Sequence, residues 1–346
     1  MAIKDLNIRR DKILGMIIDT YINNATPIAS RAISRKLRMS LSPATIRNVM
    51  SDLEEDGLIT HPHTSAGRIP TEKGYRYYID KLMSAVLLTE EEKRRVDREF
   101  KSRVNEINDI LDKATHVLSS VTNQAGIVLF PFLQKSEFSH VELIRLNGSK
   151  ILVVLMAKTG FTKDFVIEPN DEIEDGELTR IANFINNNIG KGSLNSIRKE
   201  IMQKLLAERD SFYYILEKAK AIIDTIIDIL KQNRIYLDGR AHMADQPEFN
   251  DIHKLKNLFR KLEDKDFMFS LLKRSLDADG VHVYIGSELG YDGMEDCSLI
   301  TCNYCIGDAS CGTVGVLGPT RMEYPKLISM VNYVAARISR HLSGGE

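Results

Sequence analysis

"SLSPATIRNVMSDLEEDGLITHPHTSAGRIPTEKGYRYY", residues 40 to 78, opens with a capped helix and closes in a basic loop rich in threonine, serine and glycine. Ser42 followed by Pro43 reads as an N-cap with proline at the first helical position, and the helix stops before Gly57. Ile46, Val49, Met50 and Leu53 recur at i, i+3, i+4 and i+7, so they form the stripe that turns inward. Arg47, Asn48 and Ser51 then occupy the far side, with Thr45 at its edge. After Gly57, "LITHPH" and "GRIPT" are short strand-like pieces around "TSA", which predicts a hairpin whose loop ends in Gly67 and Arg68.

Upstream, "RRDKILGMIIDTYINN" places Ile13, Ile17, Ile18, Tyr21 and Ile22 at helical spacing. "TPIASRAISRKL" reads as a second helix with Ile28, Ala32, Ile33 and Leu37 apolar, joined to the third by the connector "RMSL". Two helices and a short turn, the second with a polar outer face, compose a helix-turn-helix, and the hairpin makes it winged. Arginine and asparagine suit guanine and adenine edges, while hydroxyls and a further arginine suit phosphates. The residues that would touch DNA are therefore Thr45, Arg47, Asn48 and Ser51 on the helix, and His63, Thr64, Ser65 and Arg68 in the wing. The bland alternative is a solvated helix face with an ordinary hairpin, in which Arg47 pairs with Asp52 or Glu54. His61 and His63 flank a proline without the acidic or cysteine neighbours of a metal site.

Charge agrees with a polyanion partner at this end. Residues 1 to 85 hold 13 lysines and arginines against 9 acids, whereas the rest of the chain holds 34 against 39. With 346 residues, 43% of them hydrophobic, the chain has material for about two or three domains with real cores. No apolar run is long enough for a membrane span, and the charged start does not read as a secretory leader, so the cytoplasm is the expected location.

"LTEEEKRRVDREFKSRVNEINDILDKATHVLSSVTNQAG" predicts one long helix, begun by a capping box of Thr89 and Glu92. Phe100, Val104, Ile107, Leu111, Ala114, Leu118 and Val121 form its buried seam. Strands are expected at "HVELIRL", "KILVVLMA" and "FTKDFVIE", with "NGS" as a turn between the first two. Helical periodicity returns from Asp175 to about Lys231. There Phe212, Leu216, Ala219, Ile223, Ile226 and Leu230 make one seam, with Ile215, Ile222 and Ile229 on a neighbouring line. So wide a band suits core on one side and a dimer contact on the other, or an ordinary buried helix. "GVHVYIG", "CSLITCNY" and "GTVGVLGP" return to strands, and a helix covers them from about Glu323 to His341.

Through "SPATIRNVMSDLEEDGLITHPHTSAGRIPTEKGYRYY", "QPEFNDIHKLKNLF" at 246 to 259 and "GTVGVLGPTRMEYPKLISMVNYVA" at 312 to 335, the chain resembles the heat-inducible transcription repressor family HrcA. These matches lie far apart and in order, so the resemblance spans essentially the whole chain. It implies an α+β multidomain protein: a winged helix-turn-helix at 1–85, a linker helix and first part of a GAF-like α/β domain at 86–170, an inserted helical and β dimerisation region at 171–275, and the second part of the GAF-like domain at 276–346. It further implies a homodimer that binds a palindromic operator, the CIRCE element, upstream of chaperone genes. In that scheme a GroEL-type chaperonin supports the DNA-binding form, and heat relieves repression by drawing the chaperonin away. No cofactor is implied.

Cys297, Cys302, Cys305 and Cys311 are the only cysteines, so a disulfide framework spread along the chain is excluded. Their spacing could fold around a zinc ion or serve redox sensing, yet strand alternation would send neighbours to opposite faces, which suits small buried strand residues. The family pattern does not require Cys302, Cys305 and Cys311. No G-x-S-x-G, Walker loop, H-E-x-x-H or zinc-deaminase signature occurs, so no catalytic constellation supports an enzyme. The competing function is a winged-helix regulator answering to a metabolite, or to a redox or zinc signal, at the GAF-like domain.

Overall fold

A computed structural model describes residues 2–36, 41–62, 67–100, 107–131, 138–158, 162–169, 173–189, 194–207, 212–230, 234–276, 279–306 and 310–343. Helices α1 (Ala2–Asn24), α2 (Ser30–Lys36) and α3 (Pro43–Glu55) meet around Ile13, Leu14, Ile17, Ile18, Ile33, Ile46, Met50 and Leu53, all buried. The second helix starts later than its sequence pattern suggests. Pro27 keeps Thr26 out of the helical region, and Ile28 is claimed by a β-bridge to Arg68, with both N–H···O distances 2.9 Å. Ala32, expected on the apolar stripe, is exposed.

The wing is the antiparallel pair β1 (Ile59–Thr60) and β2 (Ile69–Pro70). Gly67 permits the added bridge, because a Cβ there would lie 2.6 Å from the Ile28 backbone. A short helix α4 (Glu72–Tyr77) follows, its first turn capped by the Thr71 hydroxyl accepting from Gly74 N at 3.0 Å.

The long helix expected next is two, α5 (Glu90–Phe100) and α6 (Ile107–Thr122). Arg95 Nη2 reaches the Ser120 carbonyl at 3.4 Å. In one straight helix those residues would be roughly 37 Å apart, so the chain reverses between them. The seam survives the reversal, with Phe100, Ile107, Leu111, Ala114 and Leu118 buried; Val104 lies outside the described residues. Thr89 and Glu92 form the expected capping box. Ala125 and Gly126, expected at the helix end, open a fully buried strand β3 (Ala125–Leu129).

Strands β4 (Phe138–Arg145), β5 (Ile151–Ala157) and β6 (Thr162–Ile167) form a separate antiparallel sheet, with helices α7 (Asp175–Ile189), α8 (Leu194–Ala207) and α9 (Phe212–Leu230) packed beside it. The seam of α9 is used inside this unit: Leu216, Ala219, Ile223, Ile226 and Leu230 are buried by the chain itself, as are Ile215 and Ile222. That corrects the expectation of a second copy against them; the Phe212 side chain lies outside the described residues. Apolar side chains left open in this unit include Ile144, Met156 and Val166 on the outer sheet face, 42%, 40% and 49% exposed, besides Met202 on α8 and Tyr213 and Tyr214 at the start of α9.

The chain then returns to β3. Strand β7 (Ile235–Asp238) pairs with it, and helices α10 (Arg240–Ala244), α11 (Ile252–Glu263) and α12 (Lys265–Lys273) follow. Strands β8 (Val281–Ile285), β9 (Cys297–Ile306) and β10 (Ser310–Pro319) complete an antiparallel sheet in the order β7-β3-β10-β9-β8, covered by α13 (Tyr324–Leu342). Alternation splits its side chains between two cores. Val128, Ile300, Tyr304, Val314 and Val316 pack with α6 and α13, whereas Ala125, Ile127, Leu129, Leu299 and Leu317 pack with α10 to α12.

This GAF-like layering moves two expected boundaries. The interruption runs from β4 to α9, because β4 to β6 pair only among themselves among the described strands. Residues 235–275 lie outside it, because β7 pairs with β3.

Candidate nucleic-acid interface

Helix α3 is built from its cap upward. Ser42 Oγ accepts from Thr45 N at 3.1 Å, and Pro43 costs no intrahelical hydrogen bond at the first position. With Ile46, Met50 and Leu53 turned into the three-helix core, Thr45, Arg47, Asn48 and Ser51 are all exposed on the outer side. Arg47 forms no ion pair among the described residues. A helix presenting hydrogen-bonding side chains on its outer side has the form that enters a major groove.

At the wing base the arrangement differs from the expectation. Arg68 Nη2 lies 2.7 Å from Glu54 Oε2, and His61 Nδ1 bonds the other carboxylate oxygen. Burial works to raise the pKa of Glu54, yet the His61 hydrogen bond and the nearby Arg68 charge outweigh it and hold the carboxyl below its ordinary value. Arg68, expected to reach for phosphate, is therefore paired within the protein. His63, Thr64 and Ser65 lie outside the described residues.

Sequence spacing does not reveal what the "YRYY" run does. Tyr77 donates to Asp11 at 2.9 Å and Tyr78 to Asp19 at 2.8 Å, tying α4 back onto α1. These partners are 66 and 59 positions away, so no local pattern announces them.

The four cysteines do not converge. Cys305 and Cys311 face each other across the β9–β10 hairpin and are disulfide-bonded. Cys297 is buried among the α10-to-α12 core residues and Cys302 on the α13 side, on opposite sheet faces. Among the described residues no group of three or more histidines, cysteines and acids could hold a metal. None of the described helices is long and apolar enough to cross a membrane.

Comparison with known proteins agrees at both ends of the chain. The family model for the winged helix-turn-helix transcription repressor HrcA DNA-binding domain matches residues 5–82, and that for the HrcA protein C-terminal domain matches 108–328. The heat-inducible transcription repressor HrcA of Geobacter sulfurreducens is 37% identical over 340 residues, covering 98% of this chain and 99% of its own. The repressor of the same name from Chlorobium phaeobacteroides is 37% identical over 356 residues, covering 99% and 100%. A crystal structure titled as that of a hypothetical protein aligns over 97% of this chain and 98% of its own, with a TM-score of 0.63 at 21% identity, which bears on the fold alone. With a winged head and two family domains matched in order, the chain belongs to the HrcA family of heat-inducible transcription repressors.

Proposed function

We propose that the chain represses chaperone operons in the cytoplasm by binding a palindromic operator, the CIRCE element, as a homodimer whose DNA-binding form is supported by a GroEL-type chaperonin. The observation that carries this reading is the outer face of α3, where Thr45, Arg47, Asn48 and Ser51 stand exposed on a capped helix whose other side is core. Arg47 and Asn48 read base edges; Ser51 and Thr45 flank them. The wing loop of His63, Thr64 and Ser65, with Arg68 once released from Glu54, supplies backbone contacts. A two-fold dimer matches an inverted repeat, and joining two half-sites turns modest affinity per head into tight binding. The outer face of the β4–β6 sheet supports a place for that dimer. Ile144 stands in register with Leu152 and Val166, an apolar row that no helix covers among the described residues.

The test is a titration of purified protein into labelled duplex carrying the inverted repeat, against a scrambled duplex at the same salt, with and without chaperonin. Preference for the repeat, one dimer per duplex and a gain with chaperonin are the expected results. Equal binding to both duplexes, indifferent to chaperonin, overturns the reading. Arg47→Ala should then cost about 1 to 3 kcal/mol on the repeat and relax discrimination at one base, while leaving the scrambled duplex less affected.

A further inference from the structure

The winged head is fastened to the GAF-like domain at two separate points. Arg76, on α4, donates from Nε to Glu288 Oε1 at 2.8 Å and from Nη2 to both Glu288 Oε2 and the Val283 carbonyl, the latter at 2.6 Å. One turn earlier, Glu72 accepts from Ser287 N at 3.1 Å and from the Ser287 hydroxyl. Gly286 makes room for that carboxylate: its φ is +50°, and a Cβ there would stand 2.0 Å from Glu72 Oε1. On the other side of the head, Arg321 donates to the Ile22 carbonyl at 2.7 Å, near the end of α1. Glu248 holds the same guanidinium in bidentate fashion, at 2.7 and 3.3 Å, and the pair is only 11% and 16% exposed. Between the two points the buried rings of Tyr75 and Tyr324 pack 5.8 Å apart.

Contacts between domains of one chain ordinarily permit relative motion. Here the bidentate fork of Arg76 on Glu288 crosses the boundary in one orientation. Beyond the aromatic contact Arg321, itself held in place by Glu248 within the GAF-like domain, adds a hydrogen bond to the Ile22 carbonyl, so little freedom is left. We propose that these contacts form a latch that fixes the angle of α3 against the rest of the chain, making Arg76 and Arg321 positioning residues for operator binding that never touch DNA. The proposal rests on the dimeric operator reading above. In a dimer the second head gains from the first only as far as it is held where its half-site lies, and that gain falls when the head can wander. Latched heads therefore discriminate the spacing between half-sites, and unlatched heads do not.

The experiment uses the full chain as wild type, Arg76→Ala, Glu288→Gln and the charge-exchanged double variant Arg76→Glu with Glu288→Arg. Each is titrated into a single half-site, the palindrome, a palindrome with a few base pairs inserted at its centre, and a scrambled duplex. Wild type should favour the native spacing by about tenfold or more. Arg76→Ala and Glu288→Gln should lose most of that preference while keeping wild-type affinity for the single half-site, and the double variant should regain part of it. Intact half-site affinity marks a folded head, and Glu288→Gln, which preserves shape, carries the comparison if Arg76→Ala unfolds. Unchanged spacing preference in Glu288→Gln, or tighter palindrome binding than wild type, overturns the latch. A wild type that does not tell palindrome from scrambled duplex sinks the operator reading first, and the latch with it.

Discussion

Replacing Glu54 by glutamine should strengthen DNA binding, because its carboxylate holds the arginine that the wing would offer to a phosphate. Arg68 Nη2 is 2.7 Å from Glu54, with the two side chains 28% and 23% exposed. The main chain at Arg68 is pinned by its double bridge to Ile28, so only side-chain torsions must change to release it. Its Nε is buried with no hydrogen-bond partner among the described residues, so the folded pairing leaves it incompletely satisfied. A partly exposed ion pair of this kind contributes about 0 to 1 kcal/mol, a small amount to surrender. One additional phosphate contact steepens the fall of log K with log salt by about 0.9, which corresponds to roughly eightfold tighter binding near 0.1 M salt if both proteins converge near 1 M. Fluorescence anisotropy over a salt series, with operator and scrambled duplex in parallel, measures this directly. Both duplexes should gain alike, since a phosphate contact carries no sequence information. A salt slope equal to that of wild type, or a gain confined to the operator, would refute the reasoning.

Val166→Glu places a charge on the open sheet face and should convert the proposed dimer to a folded monomer in sedimentation; a persistent dimer assigns the interface elsewhere. Alkylation after denaturation should modify two cysteines without reductant, Cys297 and Cys302, and four with it, because Cys305 and Cys311 are joined. Four modified cysteines without reductant would show the hairpin thiols unpaired. In the folded chain Cys297 should react slowly, since burial pushes its thiol up to about 12. The hydrogen bond from Lys326, then that from the Thr89 backbone, lowers the Glu92 carboxyl from 4.5 to about 2. A carboxyl depressed on folding contributes stability above its unfolded pKa and loses it as pH falls through the folded one. The melting temperatures of wild type and Glu92→Gln should therefore converge between about pH 4.5 and pH 2; a difference that stays constant across that window rules out the capping carboxylate as its source.

Much of the winged head is legible in residues 40 to 78, because the signals there are local. The Ser42 cap, Pro43 and the Ile46–Met50–Leu53 stripe act within a few residues of one another, so they specify a helix and its outer face before any packing is known. The same holds for the Thr89–Glu92 capping box and for the strands on either side of the "NGS" turn. The GAF-like strands β8 to β10 and their covering helix are likewise readable, each from its own alternation or 3.6-residue period.

What tertiary structure decided are the pairings between distant residues, where spacing carries no information. A seam of constant period cannot say whether its helix runs straight or doubles back, and the reversal between α5 and α6 follows from which faces bury each other. Strand β7 belongs to the sheet of β3 although α7 to α9 and a whole second sheet lie between them. The apolar band of α9 is the same whether a neighbouring helix or a second chain covers it; only packing showed that the chain fills Leu216 to Leu230 from within. Arg76 finds Glu288 from 212 positions away, and Arg68 meets Glu54 because a wing strand folds back beside the helix. Local chemistry chose the elements and their faces. Burial of those faces against one another, a property of the whole chain, chose the partners of the charged groups.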